Sequence, residues 1–275
     1  MNNIKISTWN VNSIKSRFAS FEEYVRQHQD DIILLQEIKC LDENFPHQQI
    51  QDLGYNIALK GQKTYNGVAI LSKYPIEEVI EELPSYGIDD NDQQARYIEA
   101  VISTPNKPIR VASIYVPNGG SILQEDQKNH ETEKFIYKMN FFDRLKIHLE
   151  KLFAYDEIAI FGGDYNVGVE EIDVFDPKNL KNTICFHDLE RQKMHAILNS
   201  SYIDLFRAQN PQKQEFTWWD YRGNSFSFNK GMRIDYLLAS PLAADHANIC
   251  QIIPETRAHQ KPSDHCPVSV TISIK

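Results

Sequence analysis

Short strand-like segments recur along the whole chain, and this pattern restricts the possible fold more than any other feature. Residues 4–9 alternate apolar and polar side chains, as a half-buried strand does, and residues 31–36 contain the compact apolar run of a fully buried strand. The same criteria predict strands at 55–60, 67–72, 97–103, 109–116, 157–161, 234–239 and 267–273. Because strands lie near both ends of the chain, dividing it would leave unpaired sheet, and residues 1–275 are predicted to form a single domain.

Only a few helical stretches interrupt these strands. Phe18, Phe21 and Val25 repeat at helical spacing after the first strand, and the longest helix is predicted at 131–153. Apolar residues recur every three or four positions along that helix, which indicates packing against a core and no chemical role. We therefore expect an α+β fold in which two packed β-sheets are flanked by helices.

The charge of the chain limits the partners that it can bind. Its 275 residues include 29 Lys and Arg against 38 Asp and Glu, which gives a formal net charge of -9. Such a chain cannot hold nucleic acid by its overall charge, so a DNA or RNA site would depend on local basic residues or a bound cation. Apolar residues at 41% and charged residues at 24% exclude a disordered or collagen-like chain.

Cysteine spacing and the N-terminal sequence bear on the cellular compartment. The four cysteines show no CxxC spacing, so we expect no zinc site or disulfide framework, and a reducing compartment fits best. The first residues lack the apolar stretch of a signal peptide, and apolar runs such as 32–35 are far shorter than the ~20 residues that cross a bilayer. The expected location is the cytoplasm, without a membrane partner.

Polar residues concentrate where the predicted strands end. The five places are residues 8–12, 34–39, 115–119, 161–166 and 262–267. A single Asn or Asp after a strand is more often a turn residue that bonds its own backbone than a catalyst. By the same reasoning, Glu37 could be a surface ion-pair partner and Tyr115 a core phenol. Each place is therefore weak evidence when taken alone.

Taken together, the polar residues indicate a site for a hard cation. Oxygen ligands without a thiolate cluster suit Mg²⁺, with Mn²⁺ as a second possibility. The candidate oxygen ligands are Asn10, Glu37, Asp164, Asn166 and Asp264. His265, with Asp235 to orient it, is a candidate acid/base pair next to this site.

Longer motifs narrow the class further. Gly-Asp-x-Asn at 163–166 and Ser-Asp-His at 263–265 are typical of metal-dependent phosphoesterases in general. The more specific motifs are Leu35-Gln36-Glu37-x-Lys39, Tyr115-x-Pro117-Asn118-Gly119, Trp218-x-Asp220-Tyr221-Arg222 and Gly231-x-Arg233-Ile234-Asp235. With these motifs in register from residue 8 to residue 265, the chain resembles the bacterial exodeoxyribonuclease III family, the abasic-site endonuclease branch of the exonuclease–endonuclease–phosphatase superfamily.

This resemblance implies a fold and a reaction. The fold would be the deoxyribonuclease I-like four-layer α/β sandwich, with the site at the shared edge of its two sheets. The reaction would be Mg²⁺-dependent hydrolysis of the phosphodiester 5′ to an abasic site, together with removal of nucleotides or blocking groups from the 3′ ends of double-stranded DNA. The enzyme would act as a monomer.

The resemblance also implies roles for individual residues. Glu37 matches the main metal ligand, and Asn10 and Asp264 lie beside it, with Asp164, Asn166 and His265 as further candidates. Catalytic roles match at Tyr115 near the scissile phosphate, at Asp164 and Asn166 around the attacking water, and at the Asp235–His265 pair. Whether Asp164 or His265 is the general base stays open.

Substrate contacts form the last set of predictions. Arg96 and Asn118 match positions that contact the DNA, and Arg222, Lys230 and Arg233 are candidates for gripping phosphates next to the lesion. Trp218, Trp219 and Met232 are predicted to line an apolar pocket that admits a sugar without its base, although filling the core is about equally compatible with residues of this kind.

Two other functions remain open. A phosphatase or phosphodiesterase of the same superfamily, acting on a small phosphate ester or a lipid headgroup, would share Glu37, Asp164, Asn166, Asp264 and His265. A non-catalytic binding module that kept the fold is the other alternative. It is disfavoured because every candidate ligand is present and an acidic chain is a poor passive DNA binder.

Overall fold

The protein is built on two six-stranded β-sheets that pack face to face. The computed structural model describes residues 2–89, 91–120 and 132–274, and within them the first sheet has the strand order β11-β12-β1-β2-β4-β3 and the second β5-β6-β7-β8-β10-β9. The strands are β1 (Asn2–Asn10), β2 (Ile32–Gln36), β3 (Asn56–Lys60), β4 (Val68–Ser72), β5 (Ile76–Ile80), β6 (Tyr97–Ile102), β7 (Ile109–Tyr115), β8 (Ala159–Asp164), β9 (Ile203–Asp204), β10 (Asp235–Ala239), β11 (Ala247–Ile252) and β12 (Val268–Ile274).

Helices cover the outer face of each sheet. They are α1 (Phe18–His28), α2 (His47–Asp52), α3 (Glu133–Phe153), α4 (Pro177–Leu180), α5 (Asp188–Asn199), α6 (Leu205–Gln209) and α7 (Pro241–Asp245). The apolar face of α1 packs in one cluster with residues of the first sheet such as Trp9 and Ile33, and α3 packs in another with Ile114 and Phe161 of the second. A central cluster joins the two sheets. These layers confirm the predicted four-layer α/β sandwich of the deoxyribonuclease I-like type.

Strand direction places the ends of several strands at one edge. In the first sheet β1 runs parallel to β2, and in the second β7 runs parallel to β8, so the carboxyl ends of each pair lie together. Strand β10 begins at this edge, where Asp235 pairs with Asp164. Side chains that follow these strands therefore converge, although they lie far apart along the chain.

Two glycines allow close approaches behind this edge, one between the two sheets and one between neighbouring strands of the second sheet. A Cβ atom on Gly162 would lie 2.6 Å from a methyl carbon of Leu34 in the facing sheet. A Cβ atom on Gly163 would lie 2.0 Å from the carbonyl oxygen of Ile114. A side chain at either position would not fit, so the two glycines keep this edge compact.

Several boundaries differ from the predictions. Strand β8 begins two residues later than expected and continues through the glycines to Asp164. Helix α3 begins at Glu133, where the Thr132 side chain accepts a hydrogen bond from the Phe135 amide, and residue 131 lies outside the described part of the chain. Strands β5, β9 and β11 were not predicted, because β9 is only two residues long and the other two are largely exposed edge strands without a strong apolar pattern.

Two findings concern the cysteines and the membrane. All four cysteines are buried and free, as their spacing predicts. Across the described ranges, no helix combines the length and the apolar character needed to span a bilayer.

Candidate active site

Two carboxylates and one imidazole meet at the shared edge of the sheets. Glu37, Asp164 and His265 each present a possible ligand atom, and these atoms lie within 4.8 Å of one another. Asn10 connects the two carboxylates, because its Nδ2 atom donates to Glu37 Oε1 at 2.8 Å and to Asp164 Oδ2 at 2.9 Å. The two carboxylates fit a hard divalent cation, for which oxygen atoms are the usual ligands.

Asn10 and Asp264 were predicted as direct metal ligands, but their side chains make other contacts in the structure. The side-chain oxygen of Asn10 accepts from the Asn12 amide at 3.0 Å, so its nitrogen faces the carboxylates. Asp264 accepts from Asn12 Nδ2 at 2.8 Å and from Trp218 Nε1 at 3.1 Å, and it does not belong to the group of converging ligand atoms. In this arrangement Asn10 supports the two carboxylates through its amide nitrogen, and Asp264 borders the cavity.

Glu37 is held as an anion. Its backbone has a positive φ of 52°, which turns the side chain out of the end of β2 towards the site. Burial alone would raise the pKa of the Glu37 carboxyl, but the neighbouring ammonium of Lys39 and the Asn10 amide lower it. The Lys39 Nζ atom lies 2.6 Å from Glu37 Oε2 and donates to Asn12 Oδ1 at 2.6 Å. Lys39 and Asn12 were not among the predicted site residues, although both lie in the motifs at the ends of β1 and β2.

His265 and Asp235 form the predicted hydrogen-bonded pair. The His265 Nδ1 atom lies 2.9 Å from Asp235 Oδ2, and its Nε2 atom lies 3.7 Å from Asp164 Oδ2. Burial alone would lower the pKa of His265, but the carboxylates of Asp235 and Asp164 raise it to about 10. The imidazole is therefore a cation near neutral pH, with Nδ1–H donating to Asp235.

Asp164 is fully buried among other carboxylates, which disfavours its anionic form. Burial is the largest effect and raises the pKa of Asp164 to about 7, although the charge of His265 lowers it; the nearby carboxylate of Asp235 raises it further. Its Oδ1 atom accepts from the Asn166 amide at 2.9 Å, which places the turn after β8. A carboxylate with a pKa near neutrality can exchange a proton with water during a reaction.

The remaining predicted catalytic groups border the same space. Burial raises the pKa of the Tyr115 phenol, and the negative charges of Glu37 and Asp164 raise it further, so Tyr115 keeps its proton and can donate it in a hydrogen bond. The Arg96 guanidinium lies 4.7 Å from the centre of the Tyr115 ring. Asn118 Nδ2 donates to Asn166 Oδ1 at 3.2 Å, which brings both amides to the wall of the pocket.

A cavity of about 590 Å³ opens next to these groups. Its polar lining includes Glu37, Asp164 and His265, and much of the remaining lining, here called the apolar wall, is apolar. The apolar wall consists of Phe175, Leu180, Ile184, Trp218, Met232 and Ile234. Trp218 and Met232 therefore lie where the pocket was predicted. The prediction for Trp219 is wrong, because this indole is buried against Phe216 and Phe226 and donates to Asn229 Oδ1 at 3.2 Å, so it belongs to the core.

The two predicted phosphate-binding arginines have contrasting positions. The prediction for Arg233 is wrong, because its side chain is 1% exposed and its guanidinium is held by Asp173 and Asp204, each at 2.7 Å. Arg222 is 90% exposed and lies 3.0 Å from Asp220, which lines the cavity. Motif membership alone did not show which of these side chains faces the substrate side.

The geometry of the site indicates a class of enzyme. Metal-dependent phosphoester hydrolases need a site of this kind. It combines a buried acidic cluster that fits a divalent cation with a charged histidine and an open cavity. The family model described as Endonuclease/Exonuclease/phosphatase family matches residues 7–265. The chain belongs to this family, and within it to the exodeoxyribonuclease III and AP endonuclease group of DNA repair nucleases.

Individual relatives match over nearly the whole chain. Exodeoxyribonuclease III of Haemophilus influenzae is 33% identical over 272 residues, which cover 96% of this chain and 98% of that protein. The solved structure of an AP endonuclease from Archaeoglobus fulgidus has a TM-score of 0.89 and 34% identity, covering 98% of this chain and 100% of that one. A 3′ phosphatase from Neisseria, solved with a product DNA hairpin, has a TM-score of 0.89 and 32% identity, covering 98% and 99%.

Proposed function

We propose that this enzyme uses Mg²⁺, with Mn²⁺ as a substitute, to hydrolyse the phosphodiester 5′ to abasic sites in double-stranded DNA. We further propose that it removes nucleotides or blocking groups from 3′ ends, and that it works as a monomer in the cytoplasm. The observation that carries the proposal is the buried acidic edge of the cavity, where Glu37, Asp164 and His265 line the same space as the apolar wall. The buried free cysteines suit a reducing compartment.

The carboxylates of Glu37 and Asp164 are the residues that would hold the cation. When bound there, Mg²⁺ would neutralise negative charge on the phosphate oxygens in the transition state. His265 supplies a second positive charge, since Asp235 holds its Nδ1 atom and the raised pKa keeps the ring protonated. A site with these two cationic groups can attract a phosphodiester in spite of the net negative charge of the chain.

Asp164 is the best candidate for the general base. As a carboxylate inside the acidic cluster, Asp164 can accept a proton from the attacking water, whereas the carboxylates of Asp235 and Asp164 favour the protonated form of His265, which has no free nitrogen to accept one. The water oxygen attacks phosphorus, the bond from phosphorus to the upstream 3′ oxygen breaks, and that oxygen leaves with a proton. The Tyr115 phenol borders this space and is a donor for the leaving oxygen.

The apolar wall accounts for the choice of abasic sites. A sugar without its base leaves the helix at low cost, because no base has to be unstacked. Trp218 and Met232 offer a surface for such a sugar, and the Trp218 indole also fixes Asp264 by donating to its carboxylate. Arg96, Asn118, Arg222 and Lys230 are left as candidates for contacts with the DNA backbone and the phosphates.

The direct test uses an end-labelled duplex that contains one abasic analogue. We expect Mg²⁺-dependent cleavage that leaves a product ending 5′ to the analogue, together with slower shortening of an intact 3′ end. A soluble phosphate monoester serves as the comparison substrate for the phosphatase alternative. Rapid hydrolysis of the ester without cleavage of the duplex would reject the proposed DNA substrate.

Replacing Trp218 tests the pocket separately from the chemistry. In Trp218→Ala we expect abasic cleavage to fall more than 3′ exonuclease cleavage, because only the first reaction places a bare sugar against the indole. Trp218→Phe is the matched control, since it keeps an aromatic surface but loses the hydrogen bond to Asp264. If Trp218→Ala lowers both reactions equally, or only lowers the melting temperature, the pocket lies elsewhere.

A further inference from the structure

A fully buried lysine lies directly behind the active-site turns. Lys138, on α3, has no exposed surface, and its ammonium group makes three contacts. The Nζ atom donates to the carbonyl oxygen of Asn166 at 2.8 Å, to the carbonyl oxygen of Asn118 at 3.2 Å and to Glu190 Oε1 at 2.5 Å. An ammonium group has three protons, so every donor of this lysine has an acceptor.

The two carbonyls belong to residues of the active-site wall. Asn118 follows β7 and Asn166 follows β8, and their side chains bond each other at the cavity. Asn166 has a left-handed backbone with φ of 52°, and Gly119 has φ of 91°, so both turns adopt conformations that side-chain-bearing residues rarely hold without support. A Cβ atom on Gly119 would lie 3.0 Å from the Lys138 side chain, which shows how closely the lysine packs under the turn.

Glu190 completes the arrangement from a second helix. Its side chain is fully buried, and its Oε2 atom accepts from the His187 amide at 3.0 Å at the start of α5. Transferring a lysine and a glutamate from water to the interior is costly even when they pair, and a pair of apolar residues would often be more stable. The charged pair therefore calls for an explanation other than stability, and the lysine contacts supply one.

We propose that Lys138 is a positioning residue that fixes Asn118 and Asn166 by holding their backbone carbonyls together. The proposal deepens the proposed nuclease function and rests on it for its catalytic consequence. Lys138 contacts no substrate. It acts through the two amides, which have to keep their positions when negative charge builds on the phosphate. Shifts of about 1 Å in such groups can slow a reaction by about 10²-fold.

The test separates positioning from simple stabilisation. Lys138→Met leaves Glu190 buried without its partner, so this variant is expected to lose stability and activity together. The double variant Lys138→Met/Glu190→Gln removes both charges and is expected to regain most of the stability in urea unfolding. We expect its kcat for abasic cleavage to stay about 10²-fold below that of the original protein, with KM changed little. Recovery of kcat along with stability would overturn the proposal.

A second buried ion pair, at the end of β7 away from the active site, provides the control. Arg110 lies near the start of β7, and its guanidinium contacts Glu99 at 2.7 Å and Glu157 at 2.5 Å, with no contact to a site carbonyl. We expect Arg110→Met/Glu99→Gln to keep the original kcat. An equal fall of kcat in both double variants would show that any buried pair has this effect and would contradict a specific role for Lys138.

Hydrogen exchange gives a readout that does not depend on cleavage. In the absence of DNA and metal, the Asn166 amide, which donates to Asp164 Oδ1 in the turn after β8, is expected to exchange faster in Lys138→Met/Glu190→Gln than in the original protein and in the control. Unchanged exchange would overturn the positioning role. If the original protein failed to cleave DNA while exchange changed as expected, the proposed function would fail but the structural role of Lys138 would stand.

Discussion

Two clusters of buried charge lie close together in this protein and differ in their charge balance. The arginine cluster consists of Asp173, Asp204, Arg207 and Arg233. The site cluster consists of Glu37, Asp164, Asp235, Asp264 and His265. The arginine cluster has two positive and two negative groups. The site cluster has four carboxylates facing one imidazolium, with the Lys39 ammonium at its border.

The pKa directions show the consequence of this difference. In the arginine cluster, burial alone would raise the pKa of Asp173, but Arg233 brings it below its ordinary value. In the site cluster, the pKa of Asp164 rises to about 7 because burial and neighbouring acids prevail. In a cluster with equal numbers of positive and negative groups, the charges stabilise one another without a bound ion. An excess of buried negative charge is instead stabilised when a cation binds. We conclude that the excess marks the chemical site.

The largest effect is expected when the site cluster loses a reacting group. Asp164→Asn and His265→Ala should each lower kcat/KM for abasic cleavage by about 10³-fold or more, as removal of a proton acceptor or a charge-stabilising group does in other hydrolases. Because both groups serve one transition state, the double variant should be little slower than the worse single variant. Rates of the three variants under single-turnover conditions provide the measurement. Losses that multiply would show that the two groups act independently.

The arginine cluster should respond in the opposite way. Arg233→Met leaves Asp204 without its contact to Arg233 and Asp173 with Arg207 alone, so we expect a loss of about 3–5 kcal/mol in unfolding free energy. Activity per folded molecule should stay unchanged, because Arg233 does not face the cavity. Urea unfolding followed by circular dichroism measures the first quantity, and titration of folded enzyme measures the second.

Arg222→Met is the control for that variant. This side chain is exposed and its pair with Asp220 is a surface one, so stability should hardly change. DNA affinity should fall instead, with a shallower dependence on salt. If Arg233→Met proves as stable as Arg222→Met, the arginine cluster does not have the structural role that distinguishes it from the site cluster.

A smaller effect is expected from pH in the metal-free protein. His265 has a folded pKa of about 10, above its unfolded value, so its contribution to stability is complete below pH about 6.5 and is lost as pH rises towards 10. Asp164 is also protonated more readily in the folded state, and its contribution is lost as pH rises through about 7. We expect a fall of the order of 1–3 kcal/mol between pH about 7 and about 10, measured by urea unfolding in a chelator. Stability that rises over this interval would contradict the description of the site cluster.

Much of this organisation could be predicted from local sequence. The motifs predicted which residues lie at the strand ends, and the fold brings them together because β1, β2, β7 and β8 have their carboxyl ends at one edge, where the antiparallel strands β10 and β12 begin. The single domain and the monomer stay predictions. The error at Arg233 arose because its partner Asp173 lies 60 residues away and nothing local indicates that pairing.

Lys138 shows a second limit of local reasoning. A lysine between apolar residues of an amphipathic helix has the pattern of a solvent-facing position, and only the approach of Glu190, 52 residues further on, makes it a buried cation. Helix α5, which carries Glu190, was not predicted at all, because its first half is rich in charged side chains. The support behind a site is therefore harder to predict than its reacting groups, since it depends on contacts between distant segments.

The central claim is that the excess of buried negative charge in the site cluster binds a cation. The most direct test measures Mg²⁺ binding by calorimetry, in the absence of DNA, for the original protein, Glu37→Gln and Arg233→Met. We expect Glu37→Gln to keep its circular dichroism spectrum but to bind Mg²⁺ at least about tenfold more weakly, since it loses one carboxylate of an oxygen site. Arg233→Met should bind it as the original protein does. Cleavage by Glu37→Gln should then need correspondingly more Mg²⁺. Unchanged Mg²⁺ affinity and full cleavage at low Mg²⁺ in Glu37→Gln would contradict the account.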